Sequence, residues 1–345
     1  MQPLEATRPK GVTMTRRASI ARALFAASLA TTLLVSGCSA PKAAPIAEKP
    51  AAAVKPAAVK IGTLPTEDSL PLWVAEKMGY FGTNGLMSVE IVSFQSAQER
   101  DAAFASGAID AFMGDIIAAA NLEAGGAPNT IETVMLGADQ SQGRFAVVVP
   151  PKSKVTSLAQ LKGVPVGTSS ATIQEYVLDG LMGEAGVATD GVAVEEVKKV
   201  PVRFELLMAG KLKAAALPEP FVTLAEMGGA NVVGDDTKSK ANLSQTVLVF
   251  SDAYLAKEGG REAATAVLKA WDVAVGNINM EPEQYRAELV DKARLPEPLA
   301  KTYKVNTYPL AGPPTQVQVD SVLSWMREKG YLKADVTYAD LVDAK

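Results

Sequence analysis

One stretch of this chain is written twice. Residues 100–126 (RDAAFASGAIDAFMGDIIAAANLEAGG) and 203–229 (RFELLMAGKLKAAALPEPFVTLAEMGG) run in register without a gap. Arg203, Gly210, Leu212, Ala214 and Gly228-Gly229 fall on Arg100, Gly107, Ile109, Ala111 and Gly125-Gly126. Any two helix-strand-helix units share some pattern, but two glycine stops in one register make coincidence a poor explanation. An internal repeat of this kind requires an architecture with two units of similar build.

The flanking sequence gives each unit its elements. Val59–Leu64 reads as a strand that breaks into the polar loop Pro65–Ser69, with Ser69 as N-cap of a helix, Pro71 in its first turn and Gly79 as its stop. A second strand, Ser88–Phe94, enters the capping-box sequence Ser96-Ala97-Gln98-Glu99 and a helix that ends at Gly107. A third, Ile109–Met113, leads to Asp115, which can cap the helix running to Glu123. The order then recurs. Val164–Thr168 is followed by the polar loop Ser169-Ser170-Ala171 and by Thr172-Ile173-Gln174-Glu175, again a capping box, opening a helix with Ile173, Tyr176, Val177 and Leu181 on one face. Short apolar strands alternating with helices predict an α/β fold in which loops after the strand C-termini gather on one sheet edge.

Two such lobes need joints. Phe145–Val149 and Thr246–Phe250 are apolar, rich in β-branched residues and bounded by polar loops, as strands crossing between lobes would be. The expected division is lobe 1 at 59–144 and 250–345, lobe 2 at 145–249, with a two-strand hinge. The segment from Tyr254 onward is mostly helical by period, including Glu262–Val275 and Gln316–Lys329, and is expected to pack on the first lobe.

The N-terminus predicts where the protein works. Arg16-Arg17, an apolar run from about Ala21 to Val35, and Val35-Ser36-Gly37-Cys38 form a signal peptide ending in a lipobox, with cleavage before Cys38 and diacylation of its sulfur. The apolar run is too short to span a bilayer. Met14 offers an alternative start, and the arginine pair leaves Sec and Tat export both open. Ser39–Ala58 is nearly all Ala, Pro, Lys and Glu and reads as a tether, reaching about 60 Å at roughly 3 Å per residue.

Composition removes several function classes. There is no histidine, which excludes Ser-His-Asp triads, His general bases, and His-ligated zinc or haem. With a single cysteine, Cys38, intramolecular disulfides, cysteine-rich zinc sites and iron-sulfur clusters are excluded too. No metal or cofactor is expected. Residues 1–37 hold five of the 34 basic residues (Arg8, Lys10, Arg16, Arg17, Arg22) and one of the 38 acids (Glu5), so the rest of the chain carries a net charge near −8. Its basic residues are scattered, which argues against a nucleic-acid partner.

Several runs carry a family resemblance. Leu72-Trp73-Val74-Ala75-Glu76-Lys77-Met78-Gly79-Tyr80-Phe81, then Asn84-Gly85-Leu86 and Val89-Glu90, resemble the opening of the NMT1/THI5-like solute-binding proteins, which include receptors for aliphatic sulfonates, nitrate and thiamine-pyrimidine precursors. Ser106–Ala111, Ser157–Gly163 with Val166-Gly167, and Leu217-Pro218-Glu219-Pro220-Phe221 extend the likeness over roughly Val59 to Tyr331. The resemblance implies a type II periplasmic-binding-protein clamshell, a monomer that delivers a small molecule to an ABC permease and its ATPase. Two other readings compete: an enzyme on the same fold, of pyrimidine-synthase or menaquinone-pathway-lyase type, and a sensor that binds solute without transport. The synthases use histidine, which this chain lacks, and genome neighbours would separate transport from sensing.

In a clamshell the ligand sits between the loop edges of the two sheets. On the first lobe these supply Thr66, Glu67, Asp68, Ser69, Ser96, Ala97, Gly114 and Asp115; on the second, Ser169, Ser170, Ala171, Thr172, Glu219 and Phe221; Gln142 and Arg144 lie beside the first joint. Each has a structural alternative. Ser69, Ser96, Asp115 and Thr172 are suited to capping helices, Glu219 to complementing a helix dipole, Phe221 to the core, and Arg144 to a solvated joint. Four acids against Arg144 favour a neutral or cationic ligand, such as an amino-heterocycle stacked on Phe221 or Phe145, over sulfonate or nitrate. Helix N-termini and a Ser169-Ser170 nest keep the anionic alternative open.

Overall fold

The computed structural model describes residues 54–295 and 297–342, excepting the side chains of Glu297 and Pro298. The expected signal sequence, the expected lipidation site Cys38 and the expected tether as far as Ala53 lie outside the described residues. The first copy of the plan runs β1 (Val59–Thr63), α1 (Leu70–Lys77), α2 (Tyr80–Thr83), β2 (Val89–Ser93), α3 (Ala97–Ala105), β3 (Ala111–Asp115), α4 (Ile116–Ala124) and β4 (Asn129–Leu136). The second runs β5 (Phe145–Val149), β6 (Pro165–Thr168), α5 (Ile173–Glu184), β7 (Ala193–Glu196), α6 (Val200–Met208), β8 (Ala214–Pro218), α7 (Phe221–Met227) and β9 (Asn231–Asp235). After these come β10 (Thr246–Ser251), α8 (Asp252–Leu255), α9 (Gly260–Met280), α10 (Pro282–Lys292), α11 (Glu297–Thr302), α12 (Gln316–Glu328) and α13 (Tyr338–Leu341). Among the described residues no helix is long and apolar enough to cross a membrane.

The strands form two five-stranded sheets of identical plan, β2-β1-β3-β10-β4 and β7-β6-β8-β5-β9. β1 lies parallel between β2 and β3, as β6 lies between β7 and β8. Each sheet then takes one antiparallel strand, β10 against β3 and β4, and β5 against β8 and β9. The inserted strand comes in each case directly after a passage between the lobes.

This corrects the expected joints. Phe145–Val149 and Thr246–Phe250 do not span the lobes; each pairs on both sides within one sheet, and the crossings are the segments 137–144 and 236–245 that precede them. β-branched residues suit a strand covered on both faces, and all five residues of β5 are buried. Residues 246–249, expected in the second lobe, therefore pair in the first sheet. β3 also begins two residues later than the apolar run suggests, because Ile109 is spent on packing: an added Cβ on Gly62 would lie 2.5 Å from its Cδ1. The second lobe repeats this contact, with Gly167 backed by Leu212 Cδ1 at 2.7 Å.

The repeat has a polar anchor as well. Arg100 is buried and donates from Nη1 to the Met113 carbonyl at 2.8 Å; Arg203 is buried and donates from Nη1 to the Ala216 carbonyl at 2.8 Å. Each arginine ties its helix to the middle residue of the next strand. The C-terminal helices pack on the first lobe as expected, α9 and α10 on α1, and α12 and α13 on α4. Trp271 of α9 is fully buried and donates from Nε1 to the Pro309 carbonyl at 3.1 Å.

Candidate functional site

The loop edges of the two sheets face one another across a cleft with about 530 Å³ of atom-free space, part of it open to solvent. Leu64, Thr66, Glu67, Asp68, Ala97, Arg100, Met113, Gly114, Asp115, Leu136 and Thr246 line it from the first-sheet side. Phe145, Thr172, Ile173, Gln174, Pro218 and Glu219 line it from the second, and Arg144 from the first crossing. The lobes touch around it: Gln98 Nε2 donates to Ser169 Oγ at 2.8 Å, and Asp115 Oδ2 accepts from the Ile173 amide at 3.3 Å.

Four carboxyl groups face this space and all are buried. Glu67 is held by a segment far along the chain: Tyr303 donates its hydroxyl to Oε2 at 2.7 Å, the Asn306 amide donates to Oε1 at 2.9 Å, and Tyr308 donates to the Glu67 carbonyl at 2.9 Å. Burial first, and then the charge of Glu219, pushes the Glu67 carboxyl up to about 8, against the lowering effect of the Tyr303 and Asn306 hydrogen bonds. Asp68 accepts from Thr66 Oγ1 at 2.6 Å and Asp115 caps α4 by accepting from the Ala118 amide at 2.7 Å. Burial raises both above the usual carboxylate range. Glu219 caps α7 through the Thr223 amide at 3.1 Å and is also raised by burial. Desolvated carboxyls gathered in one crevice are a mark of a functional site.

The two cations in the wall are already engaged. Arg144 bonds Glu219 at 3.3 Å, Glu226 at 2.9 Å and Asp235 at 3.0 Å. Burial alone would lower its pKa, but these acids raise it above the ordinary arginine value. Arg100 spends Nε and Nη2 on Asp101 Oδ1, at 2.9 and 2.7 Å, and Nη1 on Met113.

The structure brings together nine of the expected residues: Thr66, Glu67, Asp68, Ala97, Gly114, Asp115, Arg144, Thr172 and Glu219. Seven stand elsewhere. Ser69 caps nothing with its side chain; its hydroxyl donates to the Leu64 carbonyl at 2.9 Å. Ser96 is a helix cap, accepting from the Glu99 amide at 3.3 Å. Gln142 closes a turn on the Asp139 amide at 3.2 Å. Ser169 meets Gln98, and Ser170 gives its amide and hydroxyl to Glu196 at 3.0 and 2.8 Å, so the expected anion nest is filled by a carboxylate. Ala171 sits behind the wall with φ 54°. Phe221 is core, packed on Phe204 with ring centroids 5.8 Å apart. Thr172 lines the cavity but is not the expected cap: its hydroxyl donates to the Ser169 carbonyl at 2.7 Å.

Arg100, Gln174 and Thr246 were not legible as site residues. Arg100 carried a signal, since it opens the repeat, but a charged residue at the start of a helix reads as solvated. Tyr303, Asn306 and Tyr308, which fix Glu67, lie more than 230 residues from it and carry no local sign.

This is the type II periplasmic-binding-protein clamshell: two α/β lobes of one plan, crossed twice by the chain, around a cleft built from both loop edges. Solved structures of that fold superpose on it. The alkanesulfonate-binding protein SsuA from Xanthomonas axonopodis pv. citri, bound to MOPS, aligns with a TM-score of 0.71 and 19% identity over 84% of this chain and 99% of its own. The aliphatic sulphonate binding protein SsuA from Escherichia coli gives 0.69 and 19%, over 84% and 93%. The nitrate-binding protein NrtA from Synechocystis PCC 6803 gives 0.66 and 13%, over 83% and 84%. By sequence, the chain matches none of the curated proteins. Residues 52–291 match the NMT1-like family, and the chain belongs to that family.

Proposed function

We propose that this protein is the extracytoplasmic, lipid-anchored solute receptor of an ABC importer, and that its solute is a neutral or cationic compound rich in hydrogen-bond donors, such as an amino-substituted heterocycle of the thiamine-pyrimidine type. Family membership and a cleft shared by two lobes support the receptor role. Neighbours of the same fold are a sulfonate-binding and a nitrate-binding protein by name. The anchor rests on the Cys38 lipobox.

The observation that carries the ligand class is the set of acidic side chains in the wall. Glu67, Asp68, Asp115 and Glu219 line the cavity, while both arginines already bond protein acceptors. An anion would sit beside four desolvated carboxyls, whereas an amino group can donate to them. Phe145 lines the same wall and supplies an aromatic side chain for a flat ring. Calorimetric titration of the protein with an aminopyrimidine, an aliphatic sulfonate and a flavin precursor tests this. Binding of the aminopyrimidine alone is expected; tight sulfonate binding would overturn the ligand class and leave the receptor role standing.

A further inference from the structure

Outside the cavity, a buried polar cluster joins the two lobes. Helix α12 packs on α4 of the first lobe, and its end and the following turn carry Trp325, Lys329 and Tyr331 toward α5 of the second. Lys329 Nζ lies 2.9 Å from Glu175 Oε1 and 3.0 Å from Asp179 Oδ2. Trp325 donates from Nε1 to Asp179 Oδ2 at 2.9 Å, and Tyr331 donates its hydroxyl to Glu175 at 2.9 Å. Tyr176 meets the Trp325 ring edge to face, with centroids 5.2 Å apart.

Burial separates this cluster from ordinary surface pairs. The Glu175 and Asp179 side chains are 2% and 4% exposed and that of Lys329 17%. Another ion pair between the lobes, Lys199 with Glu99, is 52% and 44% exposed and is screened by water. Breaking a buried pair leaves desolvated charge behind, so sliding α5 along α12 is strongly opposed. Glu175 also faces the cavity wall: its Oε2 accepts from the Ala171 amide at 2.7 Å, and Thr172, Ile173 and Gln174, which follow, line the cavity.

We propose that the Lys329–Glu175–Asp179 cluster is a third joint between the lobes beside the two chain crossings, and that Glu175 is the positioning residue through which the first-lobe helix α12 fixes the Ala171–Gln174 wall of the cavity. The proposal rests on the two-lobe geometry and not on the identity of the solute. It is tested without ligand, on the full chain carrying Cys38→Ser and spin labels at Met87→Cys in the first lobe and Lys211→Cys in the second. The parent is expected to give one narrow distance distribution. Lys329→Met and Glu175→Gln should broaden or displace it, and Lys329→Arg should restore it. Amide exchange supplies the second readout: at residues 171–174 it should rise at least tenfold in Lys329→Met while the amides of β8 keep the parent rate. Tyr331→Phe removes a single hydroxyl and provides the same comparison should Lys329→Met not fold. Distance distributions that superimpose on the parent's, or exchange that rises equally in β8, would overturn the proposal.

Discussion

The Asp115 carboxylate accepts a hydrogen bond on each side of the cleft, from the Ala118 amide at 2.7 Å in its own lobe and from the Ile173 amide at 3.3 Å in the other. One side chain thus serves the first turns of two helices, α4 and α5, that belong to different sheets. Asp115→Ala leaves two buried amides without a partner. The expected loss is about 1–3 kcal/mol in urea unfolding, made of a lost cap and a lost contact between lobes. Asp115→Asn, which keeps one acceptor oxygen, should lose less. Equal midpoints for Asp115→Ala and the parent would sink this reading.

Glu67 predicts a pH dependence of stability. Its carboxyl sits at about 8 in the folded chain against an ordinary value of 4.5. The unfolded chain therefore gives up this proton first as pH rises. The stabilisation that comes with the protonated group is complete below about pH 4.5 and is lost as pH climbs through about 8. Glu67→Gln cannot ionise, so its stability relative to the parent should improve steadily between pH 5 and pH 8. Urea unfolding of both proteins at several pH values measures the difference; parallel curves over that range would refute the assignment.

The arginines of the repeat should respond alike in stability. Arg203→Met orphans the carbonyls of Val197 and Ala216, and Arg100→Met orphans that of Met113 and leaves Asp101 unpaired. Each unsatisfied group costs about 1–3 kcal/mol. Denaturant unfolding should therefore show a loss of at least this size in both variants. Only Arg100→Met also removes a charge from the cavity wall, so of the two it should show the larger gain in affinity for a cationic probe such as protonated aminopyrimidine.

Gly137 marks the place where the two crossings touch. Its φ is +84°, and an added Cβ would fall 2.1 Å from the Ser244 carbonyl oxygen on the other crossing. Gly126 has a similar φ, +82°, with nothing near its Cβ position. Gly126→Ala should cost about 1–2 kcal/mol, from backbone strain alone. Gly137→Ala should cost more, because a backbone atom must move. Thermal melts of the two variants rank them, and the reverse ranking would contradict the crossing geometry.

Much of the fold was legible because its signals are local. Ser96 and Asp115 cap helices from positions three residues ahead of their partners, and Gly107 and Gly210 end equivalent helices at positive φ. Such relations lie within four residues of chain. The expected caps at Ser69 and Thr172 failed because a hydroxyl can donate as well as accept, and in both cases a nearby carbonyl claimed it. The joints failed for a different reason. A β-branched run shows that a segment is a strand but not which sheet holds it, since pairing partners are chosen across the chain.

The amino-acid order alone determined that there would be two α/β lobes of one design, because strand and helix periods and glycine stops are short-range properties copied twice. The tertiary structure decided which side chains face the cleft. It buried Phe221 in the core, turned Arg100 inward, and brought Tyr303 across 236 residues to hold Glu67. Those outcomes depend on which surfaces exclude water together, and that is settled only when the two lobes and the C-terminal helices have packed.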